Sequence, residues 1–117
     1  MDATMQVDAF FAGRGHEWAI HEQLKERLTE RFPGVSIRVM KTCIAYDDPS
    51  PFVYISFPPR KYMRGLVVTI SLREKMDHPR FFSVVPVSAS RCTAHIRVEE
   101  ETEIDEELLG LIAMSHR

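Results

Sequence analysis

The stretch HEWAIH, residues 16–21, sets two histidines and a glutamate within six positions. These are the residue types that hold zinc in the His-Glu-x-x-His helices of metalloproteases. The spacing is one residue too long. On a helix an offset of four turns a side chain by about 40° and an offset of five by about 140°, so His16 and His21 cannot project into one metal site. Glu17 and His21 are four apart and share a face, an arrangement more typical of a solvated helix pair than of a metal centre.

A second candidate is PPRKYMRG, residues 58–65, where Arg60, Lys61 and Arg64 surround Tyr62. Cations mixed with an aromatic ring can hold a phosphate or stack on a base. No glycine-rich phosphate cradle accompanies them, and an ordinary solvated hairpin loop has the same composition. In TAHIRVE, residues 93–99, Ala94, Ile96 and Val98 alternate with His95 and Arg97. Arg38, Tyr54 and Thr69 take the equivalent outward positions on other strands and with them could line a polar groove, although ordinary solvated sheet residues are the more frequent arrangement.

KTCIAY, residues 41–46, adds to that face. With Ile44 and Tyr46 inward, period two sends Thr42 inward with them and leaves Lys41, Cys43 and Ala45 outward. Cys43 has no histidine nearby in sequence and no second cysteine at metal spacing, so it reads as a small sheet residue. The candidate ligand-binding set is therefore Lys41, Arg60, Lys61, Arg64, Arg80, His95 and Arg97. No residue is assigned as catalytic. His95 is the one candidate acid or base, with Lys41 or an arginine to stabilise negative charge. Asp47 with Asp48 is turn chemistry, and no nucleophile elbow, phosphate loop or dinucleotide fingerprint occurs.

The elements that must position these residues follow from periodicity. Helices are predicted over about 5–12 and 17–31, the second from Ile20, Leu24, Leu28 and Phe32 with Trp18 widening the stripe, stopped by Pro33 and Gly34. The period then switches to two, predicting strands over about 35–40, 43–46, 52–57, 66–73 and 93–99. Pro49 and Pro51 make DDPSP a turn, and Asp77-His78-Pro79 suggests a short helical turn. A C-terminal helix is predicted over about 103–115, capped by Thr102 and led by the acidic residues its dipole favours. The order argues for an α+β fold: an antiparallel sheet of five or so strands, with N-terminal helices and a C-terminal helix packed mainly on one face. Clean alternation leaves the other face at least partly open.

Composition sets the outer limits. The 117 residues are 44% hydrophobic and 27% charged, which is one domain, 1–117, able to bury roughly two-thirds of its unfolded surface without a staple. A net charge of -2 and a pI near 6.2 exclude the basic footprint of a bulk nucleic-acid binder. Two cysteines make neither a zinc site nor a disulfide framework. No apolar run approaches the roughly 20 residues that span a bilayer, so a cytoplasmic protein with no membrane partner is expected.

Taken together, VDAFFAGRGHEWAIHEQLKERL, KTCIAY, RGLVVTISLREKMDHPRF and SASRCTAHIRVEEETEIDEELLGLI resemble the small bacterial domain-of-unknown-function family 5655 over nearly the whole chain. Lys41, Thr42, Ile44, Ala45 and Tyr46 match its second strand, and His78, Pro79 and Arg80 its His-Pro-Arg turn. Arg91, His95 and Arg97 match in part its Arg-x-x-His-His-x-Arg strand, where Ala94 replaces the first histidine. The resemblance implies no assigned activity, no metal and no cofactor. The expected function is a binding or interaction module whose open sheet face takes a small ligand, a phosphate group or a nucleic acid. A homodimer burying that face, with Phe52 and Tyr54, is the alternative, and a hydrolase-like enzyme using His95 is the third.

Overall fold

The computed structural model describes residues 3–116. It contains helices α1 (Ala3–Phe10), α2 (Gly15–Arg31) and α3 (Glu106–Ser115), a 3-10 turn at Glu101–Glu103, and six strands. These are β1 (Ser36–Val39), β2 (Cys43–Asp47), β3 (Pro51–Ser56), β4 (Leu66–Leu72), β5 (Phe81–Ser88) and β6 (Arg91–Val98). They form one antiparallel sheet in the order β1-β2-β3-β4-β6-β5. The α+β architecture expected from the sequence is present, with one strand more than the alternation pattern indicated.

That additional strand is β5. Its sequence, FFSVVPVS, has no clean period, and Pro86 lowers its strand propensity. It survives as an edge strand, paired only with β6, with Phe82 (56%), Val85 (45%) and Val87 (66%) exposed. The helical turn expected at Asp77-His78-Pro79 is instead a simple turn feeding this strand. The C-terminal helix starts at Glu106 and not near Thr102, because Asp105 is the cap: its carboxylate accepts the Leu108 N–H at 2.9 Å.

Register fixes the two faces. Tyr46↔Val53↔Ile70↔Ala94 and Ile44↔Ile55↔Val68↔Ile96 run across the sheet as two rows of buried residues. The helices cover this side, α2 through Ile20, Leu24 and Leu28 and α3 through Leu108, Leu109, Leu111 and Ile112. Each such aliphatic side chain, fully buried, stabilises the fold by about 2 kcal/mol relative to exposure. Trp18 lies off the stripe, 41% exposed, and donates to Asp8 at 3.1 Å.

One irregularity shapes the sheet. The β2–β3 register shifts between Tyr46 and Asp47, so that Asp47 pairs with Pro51 and Phe52 is the extra residue. The bulge turns Phe52 out of alternation. Expected on the open face, it is buried on the helix side against Phe32 and His116, ring centroids 5.0 and 4.9 Å away.

Candidate functional site

The open face is built from the outward halves of the strands. Its middle row runs Arg38↔Ala45↔Tyr54↔Thr69↔His95↔Ser83, from β1 to β5. Flanking rows hold Cys43, Ser56, Val67 and Arg97 towards one end, and Ser71, Thr93 and Val85 towards the other. His95 is half-buried, its Nδ1 lies 3.0 Å from the Thr69 hydroxyl, and the Phe82 ring stands 6.1 Å away. Burial lowers its pKa, which keeps the imidazole neutral near pH 7. Burial likewise raises the Cys43 thiol, which is unactivated. Among the described residues the Thr69 hydroxyl is what orients the His95 ring, and no carboxylate stands beside it.

The seven candidate residues do not converge. Lys41 and Thr42 form the tight turn between β1 and β2, where Met40 N–H bonds to Cys43 O at 2.8 Å, and both are exposed. Strand pairing ends at Cys43, so the alternation that put Lys41 outward and Thr42 inward does not extend to them. Arg97 shares Cys43's row but stands three strand spacings away, about 14 Å. Its guanidinium donates to the Arg64 carbonyl at 2.9 and 3.3 Å and pairs with Glu99 at 3.0 Å. Arg64 in turn lies against His16 and Glu100, 3.2 and 3.7 Å away. These two arginines clasp the 57–65 loop and are not free for an anion. Arg60 and Lys61 are exposed on that loop, away from the row.

Arg80 is the most committed of the set. It donates to Asp105 at 2.7 Å and to the Glu103 carbonyl at 2.7 Å, with Glu107 at 3.5 Å, tying the entry of β5 to the start of α3. The Leu108 N–H, and after it the Arg80 guanidinium, hold Asp105 below the usual carboxylate range. Replacing Arg80 with Met should cost about 1–2 kcal/mol of stability, the value of charged hydrogen bonds that remain partly solvated. A urea midpoint equal to that of the parent would show that Arg80 is not structural.

A family model, domain of unknown function DUF5655, matches residues 7–117. The chain belongs to this family. No curated protein and no solved structure matches it. The stretches that resemble DUF5655 now have positions: KTCIAY is the β1–β2 turn and β2, His-Pro-Arg is the β5 entry held by α3, and TAHIRVE is most of β6, between β4 and the edge strand β5. In this DUF5655 domain the His78 ring serves its own turn, its Nδ1 accepting the Arg80 N–H at 3.1 Å.

The sequence reading missed what Glu17 and His21 do. Neither is solvated. Glu17 is buried and its carboxylate accepts the Gly65 N–H at 2.9 Å, joining α2 to the start of β4. His21 is fully buried, with Nε2 2.8 Å from the Tyr46 hydroxyl and the Phe11 ring 5.0 Å away. The signal was present: 17, 20, 21, 24 and 28 are the positions of one apolar stripe, and polar residues in such a stripe enter the core with their partners. His16 faces elsewhere, its Nε2 2.7 Å from the Glu99 carbonyl oxygen, as the 140° offset requires. Among the described residues no group of three or more His, Cys, Asp or Glu is placed to hold a metal.

Proposed function

We propose that this DUF5655 domain is an interaction module that self-associates through its open sheet face. The supporting observation is the uncharged middle of that face. Tyr54, Thr69, His95 and Ser83 cross four strands without an ionised side chain beside the covered Ala45, and Ser56, Ser71, Thr93 and Val85 border them. The charges at its margins are neutralised in place: Arg38 pairs with Asp47 at 3.0 Å and Arg97 with Glu99 at 3.0 Å. An interface core depleted of charge with a polar rim is the usual anatomy of a protein–protein contact. A twofold interface brings each patch against its own copy, so a face of one sign repels itself and a balanced face does not. The footprint suits this use. Six strands about 4.8 Å apart and roughly 20 Å long cover on the order of 500 Å² before side-chain relief is counted, in reach of the ~800 Å² per partner of a stable complex.

The same contacts weaken a nucleic-acid or phosphate reading of this face, because Arg38, Arg64, Arg80 and Arg97 already answer carboxylates or backbone carbonyls. Sedimentation at high micromolar concentration should give a dimer mass. Thr69→Arg, in the centre of the row, sets a charge close to its own copy and should raise the dissociation constant about thirtyfold, about 2 kcal/mol, with an unchanged circular dichroism spectrum. A parent protein that stays monomeric throughout sinks the proposal.

A further inference from the structure

The bulge at Phe52 has a second effect: it opens the sheet. β3 and β4 pair only from Val53↔Ile70 to Ser56↔Val67. Beyond that point the Ser71 N–H has no strand partner and donates to the Ser115 hydroxyl of α3, at 2.9 Å. Pro51 has no N–H to extend the ladder. The split leaves a notch of about 340 Å³ at this end of the sheet. Its lining includes Ser50, Tyr54, Ser71 and Arg91, with Asp48 on the β2–β3 loop.

We propose that this notch binds a small carboxylate that carries a hydrogen-bond donor at its other end. Arg91 makes no ion pair or side-chain hydrogen bond among the described residues, unlike Arg38, Arg64, Arg80 and Arg97. A free guanidinium at the wall of a cavity takes a carboxylate by two parallel N–H bonds. The remaining polar groups are of another kind. Asp48, whose Oδ2 accepts from His116 Nε2 at 2.8 Å, keeps further acceptor capacity, and the hydroxyls of Ser50 and Tyr54 accept as well as donate. Opposite charges line one cavity without pairing, one cation and one anion, so a ligand bearing a single negative charge and a donor satisfies both. A dianion meets Asp48 unfavourably. The volume lies at the small end of ligand sites and suits a molecule of a few carbons. Tyr54 and Ser71 also belong to the open face, so the titration is run on Thr69→Arg, which keeps that face uncovered, as well as on the parent.

The test is an amide-shift titration of the labelled full chain with four probes of one length: 4-aminobutyrate, 4-hydroxybutyrate, butyrate and butylamine. Saturable shifts at Ser50, Ser71 and Arg91 are expected with the amino acid, the hydroxy acid or both, and whichever binds identifies the donor. Butyrate and butylamine should bind about tenfold more weakly or worse, and Arg91→Gln, an exposed position, should weaken the preferred probe by about tenfold with an unchanged amide spectrum elsewhere. Equal responses to butyrate or butylamine, no saturable shift with any probe, or undiminished binding by Arg91→Gln would each overturn the assignment.

Discussion

Gly65→Ala should destabilise the protein by about 3–5 kcal/mol, the largest effect expected of any single methyl group in the chain. Gly65 has φ +91, a backbone conformation that costs an alanine about 1–2 kcal/mol. The added Cβ would also meet backbone, which cannot swing aside: it would lie 2.7 Å from Glu99 Cα and closer still to the Val98 carbonyl oxygen. Either the end of β6 moves or the loop does. Both are held, since Glu17 binds the Gly65 N–H and Arg97 binds the Arg64 carbonyl. Gly110→Ala is the control. It sits in α3, and a methyl group added there would meet nothing within 4 Å, so the change should stabilise by about 0.5–1 kcal/mol. Paired urea curves read the contrast, and a Gly65→Ala midpoint within error of the parent contradicts the close approach.

Acid should remove about 3 kcal/mol of stability through one imidazole. Burial, and secondarily the charge on Lys25, push His21 down to about 4 from the 6.5 of an unperturbed histidine. The unfolded chain binds this proton first as pH falls. Stability is therefore undiminished by this group above pH 6.5 and declines by about 1.4 kcal/mol per pH unit until pH reaches about 4. The folded state resists the proton because His21 sits against Phe11 and Tyr46, and its Nδ1, 3.8 Å from the Glu22 carboxylate, makes no hydrogen bond among the described residues. The Tyr46 hydroxyl, its own pKa raised by burial, is neutral throughout. Carboxylates such as Asp105 act at lower pH, and His95, also lowered by burial, acts in the same window, so it is the comparison with His21→Gln that isolates His21. As pH drops from 7 to 4.5 the parent's denaturation midpoint should fall by more than that of His21→Gln, so the deficit of the variant seen at pH 7 narrows. Parallel curves would falsify the linkage.

What could be read from the sequence depended on whether a residue obeys a period. α2 was legible because Ile20, Leu24 and Leu28 repeat along one stripe, and β6 and the later parts of β3 and β4 because their buried residues alternate, whereas in β2 Ala45 is buried along with Ile44 and Tyr46. The residues that escaped are those where a period breaks. Phe52 reverses its face at a bulge, which depends on the register with β2 and not on local sequence. β5 has no period because its register with β6 shifts twice, between Phe81 and Ser83 and between Pro86 and Ser88. The candidate site suffered most, since charge type says nothing of partners. Lys41, Arg80 and Arg97 look equivalent as cations, yet one lies in a turn, one caps a helix entry and one grips a loop carbonyl. In the sequence Arg91 stands out only as a family match, and its place at the notch follows from the split of β3 from β4, again a matter of register.

Pro86 bears on how large an assembly can grow. β5 ends the sheet with Phe82, Val85 and Val87 exposed, the type of edge on which a second sheet could continue strand by strand into a fibre. A residue without an N–H interrupts any run of donors along that edge, and the β5–β6 register shifts at two places, between Phe81 and Ser83 and between Pro86 and Ser88. Lateral polymerisation is thus blocked at the one margin apolar enough to invite it. Contact through the face, by contrast, uses itself up once two copies meet. Replacing Pro86 with a residue such as Thr would restore a backbone N–H to that strand.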